Sequence, residues 1–143
     1  MGSAAAVEVT GPEAEGLIES SDMDGQLWNY KEKGHQLVLE GTEEVEGTET
    51  YVLKLTKKNG NIDYYYIDKD SYLILKVKTK TMMNGSEMEV ESLTSNYQDV
   101  DGYLAPFTIE QKMGGQAVLT IMLEEVKVNV EIDDAIFSKP ASN

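Results

Sequence analysis

Turn dipeptides recur at short intervals after Gly34, and they constrain the fold more than any other feature of the chain. Asn59-Gly60, Asn84-Gly85 and Gly114-Gly115 are each flanked by alternating residues, and each is a preferred pair for a two-residue hairpin. Asp101-Gly102 is a fourth turn signal, and Gly41 and Gly47 bracket a longer one. The segments between them predict strands at 35–40, 49–56, 62–68, 72–83, 86–98, 103–113 and 116–130. Strands joined by such short turns run antiparallel, as a meander. The strand–helix alternation that a parallel sheet requires is missing.

The first quarter of the chain reads differently. Residues 1–11 show no periodicity and are expected to be disordered or loosely attached, with Met1-Gly2-Ser3 and three alanines resembling an expression leader or a cut end. From Pro12 to Gly34 the expectation is one or two short helices. Pro12 suits a first helical position, Ser21 or Asp22 a cap before Leu27, Trp28 and Tyr30, and Gly34 a left-handed terminus. Leu27 and Trp28 are expected to pack on the sheet. Residues 12–140 are read as one domain, truncated at its N-terminus.

Hairpin registers follow from the turns. With Asn84-Gly85 as the loop, Lys80 faces Glu89, Lys78 faces Glu91 and Thr79 faces Val90, which gives one ionic face and one apolar face. The charged pairs are expected to fix that register. With Asn59-Gly60 as the loop, Leu55 faces Tyr64 and Leu53 faces Tyr66, and these four are expected to share a buried face. Val118 to Leu123 is apolar on both sides of its strand, a pattern that predicts cover on both faces.

Charge excludes some partners. The chain has 12 basic residues, all lysine, against 26 acidic ones, for a net charge of −14. Nucleic-acid binding needs a positive footprint, and none is available here. No apolar run approaches the length of a membrane span. The absence of cysteine removes disulfides, thiolate metal sites and thiol nucleophiles.

Candidate chemistry is sparse. His35, the one histidine, follows a helix-ending glycine with no positioned nucleophile or carboxylate supplied beside it, so a structural role is expected. Asp22-Met23-Asp24-Gly25 resembles the start of a calcium loop, but Lys33 stands where the bidentate Glu belongs. Asp99, Asp101, Asp133 and Asp134 read as turn or capping carboxylates, and Glu43, Glu44, Glu46, Glu87, Glu89 and Glu91 as solvated surface. No catalytic residue, metal ligand or cofactor is expected. Tyrosines at 64–66 and Met82, Met83, Met88, Met113 and Met122 suit either a core or the walls of an apolar pocket.

From Gly34 onward the order of features resembles the later part of the LolA-like outer-membrane lipoprotein-sorting proteins. The pieces are Gly41, Val45-Glu46-Gly47, Tyr51-Val52-Leu53-Lys54-Leu55, Gly60 and Tyr66-Ile67-Asp68. They continue through the run from Tyr97 to Phe107, then Val128-Asn129-Val130, Asp133-Asp134 and Phe137-Ser138-Lys139-Pro140. The resemblance implies a curved, open half-barrel of about seven strands with helices as a lid, and Phe137 plugging back into the sheet. It also implies a location outside the bacterial cytoplasm and an apolar ligand on the concave face. Two departures stand out: the family's additional N-terminal strands and helix have no counterpart here, and neither does any arginine contact to ligand.

The reading is therefore a mainly β, non-enzymatic periplasmic carrier or binding domain for lipoprotein acyl chains or another apolar ligand. The side chains expected to hold it are Leu53, Leu55, Tyr64, Tyr66, Leu75, Val77, Met88, Val90, Leu119 and Ile121. A second reading is a structural domain whose apolar face is buried by homodimerisation or by a missing N-terminal part. A hydrolase built on paired carboxylates ranks below both.

Overall fold

The computed structural model describes residues 9–83 and 86–138. It divides into two units, one spanning Asn29–Val128 and the other joining the chain before Asn29 to the chain after Val128.

The larger unit is a seven-stranded sheet in which every strand pairs with its neighbours in sequence. The strands are β1 (Gln36–Val45), β2 (Thr48–Thr56), β3 (Ile62–Asp68), β4 (Ile74–Met83), β5 (Ser86–Val100), β6 (Tyr103–Met113) and β7 (Gln116–Met122). All six pairings are antiparallel. The meander is open, with β1 and β7 as its edges.

The turns hold in most places. Asp101-Gly102 and Gly114-Gly115 form two-residue loops with both φ angles positive, as the mirror-image hairpin turns require. Asn84-Gly85 lies outside the described residues, yet the β4–β5 register is the expected one, with Lys78 opposite Glu91 and Lys80 opposite Glu89. The span from Gly41 to Gly47 is not a long loop. Strand β1 continues through it by way of a bulge at Gly41 and turns only at Glu46-Gly47, where φ is 47° and 85°.

The β2–β3 hairpin departs from expectation by one residue. Leu55 faces Asp63 and Leu53 faces Tyr65, not Tyr64 and Tyr66. The loop has three residues, Lys58 to Gly60: the Lys57 N–H donates to the Asn61 carbonyl at 2.8 Å and the Gly60 N–H to the Lys57 carbonyl at 2.9 Å. Gly60 sits at φ 88°, the left-handed place that closes a three-residue hairpin. A one-residue slip moves every side chain to the other face, so Tyr64 and Tyr66 point away from the face that Leu53 and Leu55 share.

Strand β7 ends at Met122, well short of residue 130. Its ladder to β6 closes with the Leu123 N–H on the Phe107 carbonyl at 2.8 Å. The alternating valines that follow, Val126, Val128 and Val130, have no strand to pair with, and periodicity without a partner makes no sheet. Nor is β7 covered on both faces: it is an edge strand and every residue in it is exposed.

In the smaller unit, α1 spans Pro12–Ser20 with Pro12 in its first turn. It stops there because the Ser20 and Ser21 hydroxyls take the Gly16 and Ile18 carbonyls, at 2.9 and 2.7 Å. Beyond it the chain runs in turns, so the second helix is absent. The Asp133 carboxylate caps a short 3-10 turn, Asp134–Phe137, by accepting from the Ala135 N–H. Trp28 and Phe137 are mostly exposed rather than buried.

Candidate functional site

Pairing traces rows of side chains across the sheet, and one face is predominantly apolar. A full-width row runs Leu39, Leu53, Tyr65, Val77, Ser92, Gln111, Leu119. The next row runs Leu37, Leu55, Asp63, Thr79, Val90, Met113. A shorter one joins Thr94, Ile109 and Ile121. Leu55 is fully buried and Tyr65 nearly so, while Leu39, Leu119 and Ile121 lie open at the two ends. Pairing places Met88 opposite Thr81 on this same face.

Seven of the ten side chains expected from sequence therefore gather here: Leu53, Leu55, Val77, Met88, Val90, Leu119 and Ile121. Tyr64 and Tyr66 do not. Leu75 does not join them either. It is the extra residue of a bulge between the Tyr66–Lys76 and Ile67–Ile74 pairs, and it packs with Tyr64 against the buried cluster of Val45, Val52 and Tyr66 on the other face.

Sequence reasoning missed an ion pair within the apolar face. Lys57 Nζ stands 3.2 Å from Asp63 Oδ2, with the two side chains only 8% and 6% exposed. The Thr79 hydroxyl donates to Asp63 Oδ1 at 2.9 Å, so both carboxylate oxygens are engaged. Burying two charges costs several kcal/mol apiece unless geometry and hydrogen bonds compensate, and here each carboxylate oxygen of Asp63 has a partner. The correct hairpin register is the signal that would have found it, since that register sets Asp63 between Leu55 and Thr79.

The opposite face carries the charges. Its ion pairs run diagonally, Lys76 to Glu91 at 3.9 Å, Lys78 to Glu89 at 3.4 Å and Lys80 to Glu87 at 3.1 Å. Each lysine reaches a glutamate two residues from the one directly opposite, except Lys76, which faces Leu93. Lys76 also lies over the Tyr66 ring, 4.0 Å from its centroid. Burial raises the Tyr66 phenol above its usual 10.0. At Lys78 burial works downward, but Tyr66, Glu89 and Glu91 outweigh it and the ammonium titrates higher than usual.

The remaining candidates are structural. His35 Nδ1 accepts the Lys58 N–H at 3.0 Å, which ties the start of β1 to the β2–β3 loop. Just before it, the Gly34 N–H returns to Lys31 and the His35 N–H to Tyr30, a Schellman closure with Gly34 at φ 80°. The Asp22 carboxylate accepts from the Gln26 amide at 3.2 Å. Among the described residues no three His, Asp or Glu side chains converge as metal ligands. No described helix is long and apolar enough to cross a membrane. An open hollow of about 340 Å³ lies at the turns, lined by Gly47, Thr48, Glu49, Asp68, Lys69 and Asp70; it is polar. The Lys69 ammonium there sits 3.3 Å from Glu49.

A family model described as "-like: Uncharacterized protein" matches residues 18–141. Among curated proteins, nothing matches the chain. Among solved structures, the crystal structure of a DUF1329 family protein from Desulfovibrio piger superposes with a TM-score of 0.58 at 20% identity. That match covers 73% of this chain and 45% of the other, so the chain spans less than half the length of its structural neighbour. At such identity the likeness is one of fold, and it agrees with the antiparallel meander. Neither description names a lipoprotein carrier.

Proposed function

This chain belongs to the family described as an uncharacterised protein, and from that premise we propose that it is a non-enzymatic binding domain for an apolar ligand of the acyl-chain class. One observation carries the reading: apolar side chains predominate on a single face of the sheet, buried at Leu55 and Tyr65 and open to solvent at Leu39, Leu119 and Ile121. A flexible hydrocarbon suits such a surface, because each methylene taken out of water contributes about 0.8 kcal/mol and needs no directional partner. The resemblance to LolA-like proteins adds the expectations of lipoprotein acyl chains as cargo and of a location outside the cytoplasm.

Native mass spectrometry of the detergent-free chain, with solvent extraction of anything bound, tests the reading directly. A stoichiometric lipid-sized adduct supports it. Titration with a fluorescent fatty acid gives a second readout: saturable binding is expected, and it should weaken at least tenfold in Leu39→Lys and Ile121→Lys. Both positions are exposed, so the fold should survive the change. A bare chain that shows no saturable binding sinks the proposal.

A further inference from the structure

Asn59 stands at the tip of the β2–β3 hairpin with Gly60 next to it, and both are exposed. That pair carries a reaction of its own. The Gly60 main-chain nitrogen can attack the Asn59 side-chain amide carbon, since a glycine has no Cβ to obstruct a close approach. A new C–N bond closes a ring imide, the nitrogen gives up its proton, and the side-chain amide leaves as ammonia. Water then opens the ring at either carbonyl. One opening leaves aspartate; the other leaves isoaspartate, with the main chain rerouted through the side-chain carbon. Water is the only co-reactant.

In the folded hairpin both reacting groups are occupied. The Gly60 N–H donates to the Lys57 carbonyl at 2.9 Å. Asn59 Oδ1 accepts the Asn61 N–H at 3.0 Å, as in an Asx turn. The first bond holds the hydrogen that the nitrogen has to lose, and the second fixes the direction of the amide. Backbone geometry works the same way. Gly60 alone in the loop has a positive φ, 88°, so Lys58 and Asn59 make a type I turn that the glycine closes. That turn aims the Gly60 N–H across the loop at Lys57.

We propose that Asn59 is a fold-gated deamidation site, protected while the β2–β3 loop is closed and converted to aspartate and isoaspartate when it opens. The gate has a consequence for the sheet. Isoaspartate adds a main-chain carbon to the loop whose three residues set the β2–β3 register. That register brings Asp63 to Lys57 and Thr79. A chain that converts while open therefore closes on a longer loop, and the contact between Lys57 and Asp63 weakens. The change is covalent, so each opening that ends in conversion is recorded. This inference does not depend on the chain binding a ligand.

Peptide mapping of the full chain by mass spectrometry, after incubation at mildly alkaline pH, follows conversion at Asn59. Parallel samples are kept in native buffer and in concentrated guanidinium chloride. Conversion is expected to be slower by about tenfold or more in the native sample, because it waits on local opening. Hydrogen exchange at the Gly60 amide should be retarded there as well, since the same opening exposes it. Chains carrying isoaspartate, separated by ion exchange, should unfold at a lower denaturant concentration than the unconverted chain. Equal conversion rates in the two solvents overturn the proposal. So does unretarded exchange at Gly60 in the native chain, or an unfolding midpoint that isoaspartate leaves unchanged.

Discussion

Replacing Asp63 with Asn would separate the charges embedded in the apolar face while leaving its shape almost unchanged. An amide can still accept the Thr79 hydroxyl, so the loss falls on the contact with Lys57, 3.2 Å away. Coulomb attraction at that distance is about 5 kcal/mol for an effective dielectric constant of about 20. Removing one member of a buried pair typically costs about 3–5 kcal/mol, because the other charge stays out of water. With Lys57 only 8% exposed, the expected loss is about 3 kcal/mol. For a urea dependence of about 2 kcal/mol per molar, the unfolding midpoint falls by about 1.5 M. The control is the triple variant Lys57→Met, Asp63→Leu, Thr79→Val, which replaces the network with apolar groups and should lie within about 1 kcal/mol of the native chain or above it. If Asp63→Asn moves the midpoint by less than about 0.5 M, or the triple variant is as unstable as the single one, the account of this network is wrong.

Other expectations are narrower. Asp68 is held below its usual value of 3.8 by the Ser71 hydroxyl and then by the Asp70 amide. A depressed carboxylate contributes stability above its unfolded pKa and loses it as pH falls through the folded one. Ser71→Ala should therefore raise the Asp68 titration, followed by NMR of its side-chain carbon, and an unmoved midpoint would refute the assignment. Tyr66 runs the other way: raised by burial, it favours the folded chain below its unfolded pKa, and that contribution disappears as pH rises through the folded value. Ultraviolet titration should show a tyrosine ionising above 10.0, and Tyr66→Phe should remove that transition. Gly60→Ala forces a side chain into the left-handed region at φ 88° and should cost about 1–2 kcal/mol in urea unfolding. A neutral result would mean that the three-residue loop is not the one adopted.

Most of the strands were legible because a period of two is a local property, and so were the turns that need positive φ at Asp101-Gly102 and Gly114-Gly115. The β2–β3 register was not. Asn-Gly serves both two- and three-residue loops, and the choice rests on whether Lys57 or Lys58 closes the hairpin, a backbone contact that no side chain announces. That single residue exchanged Tyr65 for Tyr64 and Tyr66 in the candidate face and hid Asp63 altogether. The length of β7 failed for another reason. An apolar strand reads alike at the centre of a sheet and at its rim, and only the topology distinguishes them. Ser21 could be read as the cap of a second helix, whereas its hydroxyl and that of Ser20 take carbonyls of α1 and end that helix instead.

The diagonal set of ion pairs on β4 and β5 has a consequence for how these strands find one another. If β4 slid by two residues toward that diagonal, Lys78 would stand directly across from Glu89 and Lys80 across from Glu87, the same partners met head-on. A comb with evenly spaced teeth engages at more than one setting, so electrostatics alone leaves the alignment degenerate. What breaks the degeneracy is a peg: the Ile74 carbonyl, beside the bulge at Leu75, receives both the Thr94 and the Tyr97 hydroxyls from β5. Only one setting brings those two hydroxyls to that oxygen, and there the sheet locks.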